Sequence, residues 1–176
     1  LTTTAVTMPS AMSGQVIAGV RVLLFVAWTS ILLCIRLAVL PFGINSAPLR
    51  LVFFRGLCWI FGIDIIVHGT PATARPLLIA SNHISYLDII AFGAVSELEF
   101  VSKAEVADWP VFGTLAKLAD TVFIERRRSH TLVARRDMAN HLAADRMLVF
   151  FPEATSGDGN RLLPFKSALF TAAGSI

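Results

Sequence analysis

Residues 81–88, SNHISYLD, put His83 and Asp88 five positions apart, directly after the apolar run PLLIA. A histidine gripped at one ring nitrogen by a carboxylate keeps the other nitrogen free as a base, which is how an enzyme activates a hydroxyl. On a continuous helix five positions amount to about 500° of rotation, and the two side chains would diverge. They can meet if a turn before the helix folds His83 back over an Asp88 in the first helical turn. A plainer role competes, because Ser85-x-x-Asp88 also fits the capping box of a helix start. Both roles can coexist, since Ser85 can cap the helix without using Asp88.

Three more predicted strands end in polar groups. Lys103 and Glu105 follow EFVS, Arg126 follows TVFIE, and Glu153 follows MLVFFP. In parallel α/β sheets ligands bind beyond the carboxyl ends of the strands, so four such ends on one edge make a candidate site. After the last strand, PEATSGDGNR carries Gly157 and Gly159, and such a loop can offer backbone N–H groups to a phosphate or an oxyanion. Arg126, Arg127, Arg128, Arg135 and Arg136 form a basic group, either a solvated face or an attraction for anionic headgroups.

Rival chemistries find less support. A serine nucleophile lacks its G-x-S-x-G elbow. His68, His130 and His141 are scattered, no H-E-x-x-H occurs, and no metal site is expected. Cys34 and Cys58 stand in apolar runs and read as small buried or lipid-facing thiols. A basic stripe interleaved with aromatics is missing, so no nucleic-acid partner is expected. A base that activates the substrate's own hydroxyl fits best.

The elements that must hold these groups follow from hydropathy. The chain has 176 residues, enough for one domain, and is 55% apolar and 15% charged. Mean hydropathy is +0.70, which points to a membrane. Residues 1–14 are small and polar and are expected to be disordered. From Gln15 to Phe42 nearly every residue is apolar, with Arg21 and Arg36 as interruptions that can snorkel from near the helix ends. A helix from Val16 to Leu40 would reach about 37 Å, enough to cross a bilayer or to dip in and return. A signal peptide fits less well, for no basic segment precedes the run and no clear cleavage site follows. Arg36, Arg50 and Arg55 follow its centre, which places the remainder of the chain in the cytoplasm.

Residues 47–62 read as a second membrane-embedded or interfacial helix, or as an ordinary core helix. Beyond Gly62 short apolar strands alternate with helices. Strands are expected at IDIIVHG, PLLIAS, ELEFVSK, DTVFIER and RMLVFFPE, and helices at 86–95, 108–118 and 130–144, the last capped by Ser129. The fold class is therefore α/β, a largely parallel sheet flanked by helices and preceded by a membrane-embedded helical segment. The expected division is 1–14, 15–62 and 63–176.

NHISYLD resembles the N-H-x-x-x-x-D block of the glycerolipid acyltransferases. Three further blocks follow in that family's order. KAEVADWPVFGTLAKLADTVFIER looks like the second, with Lys103, Glu105, Pro110, Gly113, Phe123, Ile124 and Arg126 in place. FPEATS looks like the third, and LLPFKSALF like the stretch after it. The resemblance runs from about Ile63 to the end. It implies that His83, oriented by Asp88, takes the proton from a lysolipid hydroxyl, which attacks the thioester of acyl-CoA or acyl-carrier protein without an acyl-enzyme. It also implies an acceptor-binding set of Asn82, Ser85, Lys103, Arg126, Glu153, Thr155, Ser156 and Arg161. No cofactor beyond the acyl donor is expected, and the partners are membrane lipids and the lysolipid. The acceptor implied first is lysophosphatidic acid, at a bacterial inner membrane with the catalytic domain on the cytoplasmic side.

Three positions depart from the family pattern. Ala154 stands where F-P-E-G-T has glycine; if positive φ is needed there, alanine costs about a kcal/mol or more. Ser156 replaces an arginine common among enzymes with phosphate-bearing acceptors, and Arg161 is a candidate substitute. Asp120 holds a position that is often glycine. The run FPEATSGDGNRLLPFKSALF looks especially like a bacterial subgroup that includes lyso-ornithine lipid acyltransferases, the alternative acceptor. A carboxyl-terminal V-P block is not present, so the chain is expected to be truncated. A catalytically inactive lipid-binding protein and a lipid hydrolase are the readings from other classes.

Overall fold

The structure, a computed structural model, describes residues 11–124, 140, 142, 144–166 and 170. Two helices open it. α1 spans Ala11–Val39, and a 3₁₀ turn Leu40–Phe42 leads through Gly43 to α2, Ala47–Phe61. Helix α1 therefore begins inside the stretch expected to be disordered. At the start of α2 the Asn45 Oδ1 accepts from the Ala47 N–H at 2.9 Å. Gly62 ends α2 at φ 68, the left-handed conformation that glycine adopts without a Cβ penalty.

The strands are β1 Leu77–Ala80, β2 Glu99–Lys103, β3 Val122–Ile124 and β4 Met147–Phe150. All pair in parallel, in the order β1-β4-β2-β3. Helix α3, Leu87–Val95, connects β1 to β2, and α4, Phe112–Leu118, connects β2 to β3. Central β4 is buried on both faces, as its unbroken apolar run MLVF requires. Its side chains alternate between two cores. Leu148 and Phe150 join Val101, Val122, Ile124 and Leu142 on one face. Met147 and Val149 join Phe54, Leu57, Ala94, Leu98 and Phe100 on the other, beneath α2 and α3. Gly93 is what lets α3 lie this close, because a Cβ there would strike the Phe54 ring.

Several elements differ from expectation. Residues 63–69 form no strand and lie outside the sheet. Of its apolar residues Ile65 packs against the α2–α3 core, while Ile66 and Val67 stay exposed. The helix expected at 108–118 is shortened to α4: a 3₁₀ turn, Ala104–Asp108, ends at its expected start, and Pro110 and a positive-φ Val111 delay the helix to Phe112. Ser129, most of 130–144 and the arginines from 126 to 136 lie outside the described residues.

Helix α1 is long and apolar enough to cross a membrane by length and composition over Gly14–Phe42, with only 6% of its most apolar window buried. It packs on α2 through Trp28, whose Nε1 donates to the Phe53 carbonyl at 3.2 Å. Arg36 does not snorkel. It pairs with Asp120 at 3.1 Å and donates to the Leu118 carbonyl at 3.1 Å. Asp120 also takes Arg50 and the Ser46 hydroxyl, and Arg50 lies 3.5 Å from Glu99, which holds Arg146. This network ties both helices to the amino edge of the sheet, opposite His83.

Candidate active site

Residues 81–86 leave β1 as a turn, and α3 begins at Leu87. His83 thus stands outside the helix and Asp88 in its first turn, as the spacing requires. The His83 Nδ1 lies 2.8 Å from the Asp88 Oδ2. The same oxygen accepts from the N–H groups of Ile84 at 2.7 Å and Ser85 at 3.0 Å. The Ser85 hydroxyl accepts from the Leu87 N–H at 3.1 Å. The cap and the histidine contact are both present. Burial, the largest single influence, pushes the Asp88 carboxyl up, but the Ser85 and Ile84 N–H groups and His83 outweigh it and hold it below its ordinary value. The side chains of His83 and Asp88 are 15% and 23% exposed, so the pair is sheltered yet reachable.

The loop after β4 closes over this turn because β1 and β4 are neighbours in the sheet. Glu153 is 5% exposed. Its Oε2 accepts from the His83 N–H at 2.8 Å, and its Oε1 from the Leu163 N–H at 2.9 Å. Gly157 donates its N–H to the His83 carbonyl at 2.7 Å. Both backbone polar groups of His83 are therefore held by one loop. The imidazole stacks on Phe151, with centroids 4.1 Å apart and planes 20° apart, and Phe151 meets Phe92 edge-on at 6.3 Å. Sequence reasoning gave Phe151 no role; the cues to it are its place at the head of the FPEATS block and just after β4, next to β1.

The remaining predicted residues are distributed as follows. Asn82 is half-buried beside His83, and Thr155, Ser156 and Arg161 are exposed on the β4 loop. Lys103 and Glu105 are exposed at the end of β2 on the same edge, with no hydrogen bond to the His83 group among the described residues. Arg126 lies outside the described residues. Ala154 sits at φ 69 and Asp120 at φ 55, so both departures from family glycines fall on left-handed positions. Among the described residues no cluster of histidine, cysteine and carboxylate could hold a metal. A largely apolar groove of about 590 Å³ lies behind Phe92, between residues 65–72, β1 and α3.

Fold and site define a parallel α/β protein with a His–Asp couple at the carboxyl edge of its sheet, suited to proton abstraction from a bound hydroxyl. The family profile described as Acyltransferase matches residues 64–176, and the chain belongs to that family. It is 42% identical over 166 residues to the lyso-ornithine lipid O-acyltransferase of Brucella abortus, covering 89% of this chain and 61% of that protein. It is 43% identical to that of Rhizobium meliloti, over 69% of this chain and 42% of that one. A 1-acyl-sn-glycerol-3-phosphate acyltransferase of Neisseria gonorrhoeae is 42% identical over 74% of this chain and 53% of its own length. The chain thus spans about 40–60% of the length of these relatives. The crystal structure of the acyltransferase PlsC from Thermotoga maritima shares the fold, with a TM-score of 0.65 at 20% identity, over 90% of this chain and 66% of that one.

Proposed function

We propose that this chain carries the catalytic part of a membrane-associated O-acyltransferase that moves a fatty acyl group from a thioester, of coenzyme A or acyl-carrier protein, to a lysolipid hydroxyl. The observation that carries the reading is the 2.8 Å contact from Asp88 Oδ2 to His83 Nδ1 outside the helix. An ionised Asp88 keeps the ring proton on Nδ1, and Nε2, which has no hydrogen-bond partner among the described residues, is the free base. Nε2 takes the acceptor's hydroxyl proton while the oxygen attacks the thioester carbonyl. The C–S bond then breaks, and the thiolate leaves with the proton returned from the imidazolium. Such a base contributes about 10²–10⁴ in rate.

The preferred acceptor is lyso-ornithine lipid, which carries no phosphate. Ser156 in place of arginine supports this, as do the two relatives named for that substrate. Lysophosphatidic acid is the second reading, supported by the Neisseria relative. The groove behind Phe92 is where the acyl chain would lie. Glu153, with both oxygens on backbone donors, acts as a positioning residue for His83. Membranes holding the protein are offered labelled acyl thioester with each lysolipid in turn. Transfer to lyso-ornithine lipid that exceeds transfer to lysophosphatidic acid and vanishes in His83→Ala is expected. Background transfer to both would remove the enzyme reading, and free fatty acid without lipid product would make the protein a hydrolase.

A further inference from the structure

Between the 3₁₀ turn and α4 the backbone makes a sharp turn at Pro110–Phe112. Val111 lies at φ 64 and ψ −60. Phe112 donates its N–H to the Pro110 carbonyl at 2.7 Å, closing a γ-turn of the positive-φ form. That turn is rare and strained, and a β-branched residue at its centre is an outlier. The turn rests on a firm base, since Gly113 is buried against the Ala107 carbonyl, where a Cβ has no room. The strained residues face outward. Trp109 is 47% exposed, Val111 68% and Phe112 65%.

Strain of this kind persists where surroundings compensate it, and among the described residues none covers Trp109, Val111 or Phe112. The compensating medium has an identifiable chemistry. The turn follows β2 on the same edge as His83, where Tyr86, Leu87 and Leu162 are also exposed. Its far end is tied to the apolar helix: α4 is seven residues, about 10 Å, and its last carbonyl, that of Leu118, accepts from Arg36 of α1. A tryptophan with an apolar body and a polar N–H, next to valine and phenylalanine, suits the headgroup layer of a bilayer.

We propose that the Trp109–Phe112 turn is a wedge seated in the surface of a lipid bilayer, with the His83 edge facing that same surface. The inference rests on the membrane-associated reading above, and it adds a second point of contact remote in sequence from α1. Two contacts fix the tilt of the domain, so that a lysolipid can reach His83 without leaving the lipid.

The test places a fluorophore at one site in chains lacking Cys34 and Cys58 (Cys34→Ser, Cys58→Ala), either at Phe112→Cys or at Leu23→Cys on α1. Vesicles of phosphatidylcholine and phosphatidylglycerol carry a nitroxide at shallow acyl depth. Quenching by the lipid nitroxide at both sites, with position 112 shielded from an aqueous quencher, is expected. Quenching at position 23 with position 112 open to water overturns the wedge and leaves the membrane reading standing. No quenching at either site overturns both. Shielding of position 112 only after acyl-carrier protein is added assigns the turn to a protein partner and also overturns the proposal. The double variant Trp109→Ser, Phe112→Ser should raise KM severalfold for vesicle-borne lysolipid and leave kcat on detergent-dispersed lysolipid unchanged; an equal loss on both would mean the turn is merely structural.

Discussion

Asp120 is the most informative single position outside the His83 turn, because backbone and side chain pull in opposite directions. Its φ of 55 is one that glycine adopts freely, so Asp120→Gly removes strain. That relief is small, since aspartate tolerates the left-handed region and glycine adds roughly 0.5–1 kcal/mol of unfolded-state entropy. The carboxylate, by contrast, is shared by Arg36, Arg50 and the Ser46 hydroxyl. The two arginine side chains are 12% and 11% exposed. Removing one partner from a buried pair costs about 3–5 kcal/mol, mainly through the charge left behind. Asp120 is 27% exposed and Arg50 keeps Glu99 at 3.5 Å, which lowers the figure. The expected net loss is therefore about 2–3 kcal/mol, or a fall in Tm of roughly 5–10 °C for a chain of this size. Thermal unfolding in detergent micelles measures it. Asp120→Asn, which keeps the backbone preference and loses the charge, should fall as far. Adding Arg36→Met to Asp120→Gly should recover part of the loss by removing the orphaned charge. An Asp120→Gly protein as stable as the parent would refute the assignment of this network as the tie between helices and sheet.

The same backbone logic without the charge predicts the opposite sign at Ala154, where φ is 69. Ala154→Gly should stabilise by about 0.5–1 kcal/mol in denaturant titration, and a destabilised variant would show that the alanine methyl matters more than its conformation. Glu153→Gln keeps the shape but turns an amide toward a buried N–H donor, costing about 1–3 kcal/mol. With His83 displaced, kcat should drop while KM for the lysolipid stays; a rise in KM at constant kcat would make Glu153 an acceptor-binding group instead. Asp88 has a depressed pKa, so its contribution to stability is complete above its ordinary value of 3.8 and is lost as pH falls through the lower folded value. The stability gap between the parent and Asp88→Asn should accordingly be constant from neutral pH to about pH 4 and narrow below that, and a gap that persists at lower pH would contradict it. Ala91→Phe narrows the groove behind Phe92 and should shift the preferred acyl donor toward shorter chains; an unchanged chain-length profile would take the groove out of the substrate path.

Most of the sheet was legible because parallel strands buried on both faces show as unbroken apolar runs, and β4 is the clearest case. IDIIVHG misled because apolar residues alone do not make a strand: only Ile65 packs on the α2–α3 core, Ile66 and Val67 are exposed, and the segment pairs with no strand among the described residues. The His83–Asp88 contact could be anticipated from spacing and the helix start. The grip of the β4 loop on both backbone groups of His83 could not, because it depends on β4 lying beside β1, far apart in sequence. The Asp120 network was hidden in the same way. Arg36 looked like a snorkelling lipid-facing residue since its partner stands 84 positions away.

Helix capping and histidine orientation, which compete as explanations of SNHISYLD, turn out to be one arrangement. A single oxygen, Asp88 Oδ2, receives the Ile84 and Ser85 N–H groups and the His83 ring. The two backbone donors favour the ionised carboxylate, and an ionised carboxylate holds the ring proton on Nδ1. The cap is therefore also what leaves Nε2 as the ring nitrogen without a proton. Glu153 and Gly157 complete the constraint by fixing the peptide on either side of the ring, and Phe151 fixes its plane. These contacts come from different parts of the turn and loop, so the histidine is positioned before any substrate binds and pays little ordering entropy when one does.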